Sequence, residues 1–293
     1  MKIKTVSEVL KEMYGEKIYR LALSSGCSCP NRDGTTGYGG CTFCSEGGSG
    51  EFASSPAPID QQIKEAKRLI LKKTDAKKYI AYFQSYSNTY GAPEHLRKLF
   101  MDTIRRDEIL ILDIGTRPDC LGDKMLNLLK ELKNIKPVWV ELGLQTIHDK
   151  TAQRINRGYT LSVFEDAYHK LKEAGLEVIV HVILNLPGET EEDILETIGY
   201  LSGLDPGLDG IKIHMLQILK GTALYEEYVK NPFSVMSLEE YGTMLIRSLK
   251  LLNPQTVVHR ITGDGPKKLL YEPQWSADKK NVLNTLNKMI REA

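Results

Sequence analysis

The chain has 293 residues, 41% hydrophobic and 26% charged, the make-up of a folded globular protein and not of a disordered, collagenous or coiled-coil one. Lys and Arg total 39 and Asp and Glu 38, a formal net charge of +1, which leaves no global basic field to hold a long stretch of nucleic acid. No apolar run approaches the ~20 residues of a membrane span. The N-terminus shows no apolar leader segment, so the expected setting is the reducing cytoplasm.

In chain order, apolar runs predict strands at 17–23, 79–83, 109–114, 138–144, 177–184 and 210–216, with a weaker seventh at 256–259. Helical spacing between them predicts helices at 60–72, 93–105, 124–132, 162–174, 191–202 and 237–252. Several ends carry signals. Thr190 precedes the acidic turn Glu191-Glu192-Asp193. Ser237 with Glu240 fits a capping box, and Gly175 reads as a helix stop. Strand and helix alternate about six times, which implies parallel strands joined by right-handed crossovers. The near-continuous apolar strands suit a sheet covered on both faces. Six units fall short of eight, so the expected architecture is α/β: an open or partial (βα)6 barrel, with a doubly wound sheet as the alternative. Residues 1–252 read as the barrel and 253–293 as a C-terminal extension packed on it.

In such folds functional groups gather where the strands end. Here the polar positions follow the strands: a cysteine loop, then 84–88, 116–119, Gln145, 185–189 and 217–222. One end of the barrel is therefore the expected active face.

Four of the five cysteines, Cys27, Cys29, Cys41 and Cys44, fall within eighteen positions; Cys120 lies apart and reads as a packed thiol. In a reducing compartment such clustering points to metal or cluster binding. Three readings compete: inert structural thiols, a zinc site, and an iron–sulfur cluster. Zinc ribbons usually bring two Cys-x-x-Cys knuckles, whereas one half here is Cys-x-Cys. Thiolates are the usual ligands of iron–sulfur clusters. Four candidates for three or four ligand positions leave the assignment open.

The loop, together with GTRPD (115–119), ELGLQT (141–146), INR (155–157), LPGET (186–190) and KGT (220–222), resembles the radical S-adenosylmethionine (SAM) superfamily. Within it, the chain is similar to the branch related to the elongator catalytic subunit. The bacterial subfamily with CPNRDGT…GGCTFC and VVHRITGDGP is the nearest likeness, and it covers almost the whole chain. The resemblance implies that Cys29, Cys41 and Cys44 hold a [4Fe–4S] cluster whose open iron chelates SAM. Cys27 departs from the pattern, since relatives usually have a bulky apolar residue there. It further implies reductive cleavage of SAM to a 5′-deoxyadenosyl radical, with an electron donor such as flavodoxin or ferredoxin.

By the same resemblance Phe43 borders the adenine, Arg157 meets the SAM carboxylate, His181 lies near the ribose, and the LPGET turn shapes the adenine pocket. Glu141 and Gln145 end a strand beside the cysteine loop and are expected to position SAM. A charged Glu141 inside an apolar strand needs a partner, the SAM ammonium or an arginine. The expected substrate-binding rim comprises Gln84, Tyr86, Asn88, Tyr90, Asp119, Arg260 and Asp264, with Arg117, His214, Gln217 and Trp275 nearby; Asp119 or Glu189 would accept from substrate hydroxyls. Tyr86-Ser87-Asn88-Thr89-Tyr90 departs from the Phe-Thr-Asn-Thr-His of relatives. The basic stretch 64–78 (Lys64, Lys67, Arg68, Lys72, Lys73, Lys77 and Lys78) reads as a solvated charged face.

The expected substrate is a planar purine-like base. A known activity of the resembled subfamily is queuine lyase, which releases 7-aminomethyl-7-deazaguanine in queuosine salvage. Radical modification of a tRNA wobble nucleoside is the alternative. A cluster- or zinc-binding module without catalysis is a third class, which would not need the strand-end motifs.

Overall fold

The computed structural model describes every residue except Ser49, Glu51 and Lys73. Nine strands form: β1 (Tyr19–Leu23), β2 (Tyr79–Phe83), β3 (Ile109–Thr116), β4 (Val138–Gln145), β5 (Glu177–Leu184), β6 (Gly210–Met215), β7 (Ile218–Leu219), β8 (Val257–Arg260) and β9 (Leu270–Glu272). Ten α-helices accompany them: α1 (Val6–Tyr14), α2 (Ile59–Leu71), α3 (Pro93–Ile104), α4 (Asp123–Lys133), α5 (Asp149–Arg154), α6 (Leu161–Glu173), α7 (Glu191–Ser202), α8 (Ala223–Lys230), α9 (Leu238–Leu251) and α10 (Lys279–Glu292).

Seven strands make one sheet in the order β1-β2-β3-β4-β5-β6-β8, every neighbouring pair parallel. Strands lie ~4.8 Å apart, so a flat sheet would put β1 and β8 about 29 Å from each other. Yet Arg20 on β1 reaches His259 on β8 at 3.2 Å. The sheet is curled into a half-barrel, and the doubly wound alternative is set aside. Val258 also donates its N–H to the Lys4 carbonyl, which brings the N-terminal segment against β8.

The weak seventh run is a full member of the sheet. The expected boundary at 252/253 therefore falls short: residues 257–260 pair with β6 and belong to the barrel. The short antiparallel pair β7–β9 went unpredicted, since two- and three-residue strands carry no readable period. Caps behave as expected. Thr190 and Ser237 form capping boxes with Asp193 and Glu240, and Gly175 leaves α6 at φ +66°.

Side chains alternate along each strand. On β4, Val138, Val140, Leu142 and Leu144 join the main core with Phe164, Tyr168 and Leu171 of α6. Trp139, Glu141 and Gln145 take the other face. The N-terminal end of the barrel is plugged by α1, whose Val6 and Leu10 pack with Ile18, Ile80, Ile111, Trp139 and Ile179. No described helix is long and apolar enough to cross a membrane.

Leu10 is 3% exposed at the centre of this plug. Leu10→Ala should lower stability by about 2–5 kcal/mol in a urea titration. A loss under about 1 kcal/mol would mean that α1 does not seal the barrel.

Candidate active site at the strand ends

The cysteine loop leaves β1 and is held by side chains that bond its backbone. Arg32 donates through Nη2 to the carbonyls of Cys44 (3.2 Å) and Ser45. Asn31 Nδ2 donates to the Asn156 carbonyl at 2.6 Å. Asn156 Nδ2 in turn donates to the Gly40 carbonyl at 2.8 Å. Asn156 takes φ +52°, a left-handed conformation that asparagine tolerates. Gly40 is obligatory: φ is +77°, and a Cβ there would sit 2.8 Å from Arg32 Nε. Backbone bonds from Thr42 to the Ile155 carbonyl and from Leu224 to the Thr42 carbonyl fasten the rest.

This arrangement turns Cys29, Cys41 and Cys44 onto one cavity of about 250 Å³. Cys27 is not on its wall; it packs beside Gly91, where a Cβ would approach its Sγ to 2.8 Å. Cys120 is buried, and burial pushes its thiol up to about 12. The Cys41 thiol is raised well above its ordinary value by hydrogen bonding to Cys44 and then by burial, with Arg117 opposing. Burial also raises Cys29. The three thiols thus share a site where Cys44 disfavours ionisation of both Cys29 and Cys41. A bound cation reverses that balance, so the donor set fits an iron–sulfur cluster.

The cavity floor is charged. Glu141, 1% exposed, accepts from Tyr82 Oη at 2.6 Å, His181 Nε2 at 2.8 Å and Lys212 Nζ at 2.5 Å. Below it Arg20 pairs with Asp113 at 3.3 Å. Burial works to raise both carboxyls. For Glu141, Lys212 and His181 outweigh it and hold the group well below the usual range. Asp113 goes the other way, raised by burial and by Glu141. Burial and the neighbouring cations drive His214 and His259 well below their ordinary values, so both rings are neutral.

The predicted residues divide. Phe43, Gln84, Tyr86, Glu141, Gln145, His181, Arg260 and Asp264 line the cavity with the three cysteines. Gln145 sits at a bulge with φ +65°, and Tyr86 has φ +58°; such strain clusters at functional sites. Four residues stand off the wall. Arg157 is fully buried and spends its guanidinium on the carbonyls of Leu144 (2.8 Å), Thr146 (2.6 Å) and Tyr159 (2.9 Å) and on Asp149 (3.3 Å). It pins the bulged end of β4 and has no N–H left for a carboxylate. Asn88, also fully buried, donates to the carbonyls of Phe83 and Gly115 and accepts from Ser25 Oγ. Tyr90 bonds Thr35 at 2.7 Å. Asp119 is occupied by a two-pronged pair with Arg117, at 2.9 and 2.7 Å.

Several neighbours also have partners. Trp275 donates to the Met236 carbonyl and packs on Tyr241, away from the cavity. The Asp264 carboxylate pairs with Lys279 at 2.6 Å and lies 3.8 Å from Arg260. In the basic stretch, Lys67 pairs with Glu108 and Lys73 lies outside the described residues. Sequence reasoning missed Tyr82, Lys212 and Asn156. For Tyr82 and Lys212 the available signal was the one used for Glu141: a polar residue at an inward position of an apolar strand.

Comparison with known proteins agrees with this geometry. Residues 28–201 match the radical SAM superfamily, and residues 208–292 match the radical SAM C-terminal domain. Uncharacterized protein YtqA of Bacillus subtilis is 41% identical over 287 residues, 98% of this chain and 88% of that protein. Protein YhcC of Escherichia coli is 36% identical, over 97% of this chain and 90% of its own length. Elongator complex protein 3 of Homo sapiens is 28% identical over 160 residues; the match takes in 54% of this chain and only 29% of that protein. Among solved structures, the Elp3 of the archaeon Methanocaldococcus infernus superposes with a TM-score of 0.67 at 18% identity, over 93% of this chain and 64% of that one. Methylornithine synthase does so at 0.58 and 15%, over 97% and 85%. These two likenesses show the fold.

Replacing Glu141 by Leu strands the Lys212 ammonium in the barrel. The expected loss is about 3–5 kcal/mol, and the Glu141→Leu/Lys212→Met double variant should recover most of it. Denaturant titration at pH 7 reads both. A single variant as stable as the parent would remove Glu141 from its place as the charge partner.

Proposed function

The chain belongs to the radical SAM superfamily, whose members use a [4Fe–4S] cluster and SAM, and on that premise we propose that it is a radical SAM lyase acting on a 7-deazapurine base, with queuine as substrate. The observation that carries this reading is the single cavity with three thiols at its roof and a polar floor below. Cys29, Cys41 and Cys44 are the cluster ligands. When bound, the cluster supplies the electron that cleaves SAM to the radical that takes hydrogen from the substrate. Zinc is disfavoured by sulfur placement. Four ligands 2.3 Å from one ion would stand about 3.8 Å apart. Among the described residues no three cysteine sulfurs lie within 4.8 Å of one another.

The chain's own groups orient and enclose. Phe43 and Gln145 border SAM, with Arg157 holding the β4 bulge that presents Gln145. His181 faces the ribose, and Glu141 keeps that ring in register through its hydrogen bond. Gln84, Tyr86, Arg260 and Asp264 form the substrate wall. An arginine fork suits the O6/N7 edge of a guanine-like ring, and a carboxylate suits its N–H edge. A 250 Å³ cavity, plugged beneath by α1, fits a small ligand and not a helix of RNA.

Two experiments test this. Iron and sulfide analysis after anaerobic reconstitution should show cluster loss in Cys29→Ala, Cys41→Ala and Cys44→Ala, with Cys27→Ala retaining it. Full iron in the Cys41→Ala protein would refute the ligand assignment. Reduced enzyme with SAM should convert free queuine to 7-aminomethyl-7-deazaguanine with formation of 5′-deoxyadenosine. Turnover confined to queuosine-containing tRNA, falling steeply with salt, would replace the lyase with wobble-nucleoside modification.

A further inference from the structure

Lys212 belongs neither to the thiol set nor to the residues assigned to SAM, yet it lines the same cavity. It stands between Ile211 and Ile213 on β6, where alternation turns it into the barrel. Its side chain is 3% exposed. Two N–H groups are accounted for by Glu141 at 2.5 Å and Tyr82 Oη at 3.2 Å, and the ammonium sits 4.4 Å from the Tyr82 ring centre. Both Glu141 oxygens lie within reach of the ammonium, and the residue forms part of the cavity wall.

A structural role does not call for lysine. Glu141 already takes hydrogen bonds from Tyr82 and His181, so the charge partner beside them need not be a group able to lose its proton. One layer below, the inward positions are the apolar Ile80, Ile111 and Ile179. A buried ion pair is seldom more stable than apolar residues of the same volume. A buried, charged amine on the wall of a cavity is instead the signature of a chemical task.

We propose that Lys212 is the proton donor of this cavity, its ammonium giving one proton to a nitrogen or oxygen of the bound substrate. The transfer forms one N–H or O–H bond on the substrate and breaks one at Nζ, with no change of oxidation state. Lys212 becomes a neutral amine and Glu141 stays ionised; water from the mouth restores the proton. The substrate class is therefore one with a heteroatom that grows basic as the reaction proceeds, such as a nitrogen parting from carbon. In naming that atom the inference rests on the lyase reading. His214 lies two residues on, on the same face of β6. Its neutral ring faces His181 at 5.2 Å between centroids, and its Nε2 has no partner among the described residues. It offers a fixed hydrogen-bonding site beside the donor.

The groups facing Lys212 are Arg20, Tyr82, Asp113, Glu141, His181, His259 and Arg260 from the surrounding strands and His214 from its own. Burial lowers its pKa to about 8, with Glu141 opposing. A donor so placed works near neutrality and is lost as pH rises through that value.

The test uses reconstituted enzyme. Lys212→Arg keeps the charge but cannot release a proton near neutral pH. It should retain SAM affinity yet convert queuine at least about 100-fold more slowly. Lys212→Ala should be partly rescued by methylammonium, with a pH limb that follows the added amine. Native turnover and pH profile in Lys212→Arg would overturn the proposal. Competitive acylation with acetic anhydride, read by peptide mass spectrometry on the parent protein, gives an answer free of turnover. Lys212 should titrate near 8, against about 10.4 for exposed lysines. Ordinary titration, or labelling only after unfolding, would also overturn it. If the parent leaves queuine untouched, the lyase reading fails and the labelling alone decides Lys212.

Discussion

A carboxylate buried inside a half-barrel is the constraint from which much of this structure follows. Glu141 stays ionised only because three donors from three other strands converge on it: Tyr82 on β2, His181 on β5 and Lys212 on β6. A second set lies beneath, with Arg20 on β1 joined to Asp113 on β3 and His259 on β8. These bonds run across the barrel interior like spokes. Apart from Glu141–His181, which joins neighbouring strands, they link strands two or more places apart, and Arg20–His259 joins the two edges of the sheet, which a flat sheet could not allow. Curvature and charge neutralisation are thus one requirement. An apolar filling would serve stability as well, so the polar layer is best understood through the cavity above it.

A different constraint shapes the roof. A loop that wraps an inorganic core exposes carbonyls and N–H groups with no ladder to satisfy them. Here side chains take the ladder's place. Arg32, Asn31 and Asn156 serve the cysteine loop, and Arg157 serves the bulged end of β4. The side chains of Asn156 and Arg157 are thus spent chiefly on main-chain carbonyls. Among the described residues the non-glycine positions with positive φ are Tyr86, Gln145, Asn156 and Asn185; three follow or end strands at this face, and Asn156 follows α5. Each is held by surroundings: Asn185 accepts from the Met236 N–H at 2.9 Å, and the Tyr86 hydroxyl donates to the Glu46 carbonyl. Rigid strands carry strain that loops alone would release.

This division explains what the sequence disclosed. Strands and helices were legible to within one or two residues at most ends, because period and caps are local signals. Strand β8 was legible as the weak seventh run, whereas helices α1, α5, α8 and α10 and the β7–β9 pair were not. At the site, positions on inward strand faces were legible: Glu141, Gln145 and His181 reach the cavity as alternation requires. Loop positions were less so. Asn88 and Asp119 fall in the right loops, yet backbone carbonyls and Arg117 claim their polar atoms. A sequence shows that a polar residue is near a strand end, not which neighbour reaches it first. Lys212 escaped notice for another reason. The strands were read as apolar on both faces, and a lysine between two isoleucines was absorbed into that pattern.

The C-terminal residues limit what enters this site. Strand β8 closes the sheet, and the turn after it brings Arg260, Gly263, Asp264 and Gly265 onto the cavity wall. Gln217 from the other side fits against that turn so closely that a Cβ on Gly265 would stand 2.6 Å from its Oε1. Its Nε2 is fixed by Ser276 at 2.9 Å. The segment is consequently a wall of the active cavity and not an appendage to a finished barrel. With α1 beneath, Arg20 and His259 across the open edge, and this wall at the mouth, a ligand must come in from the loop end. It then meets the thiols on one side and the charged floor below. Size and polarity are selected at the same place where the chemistry is supplied.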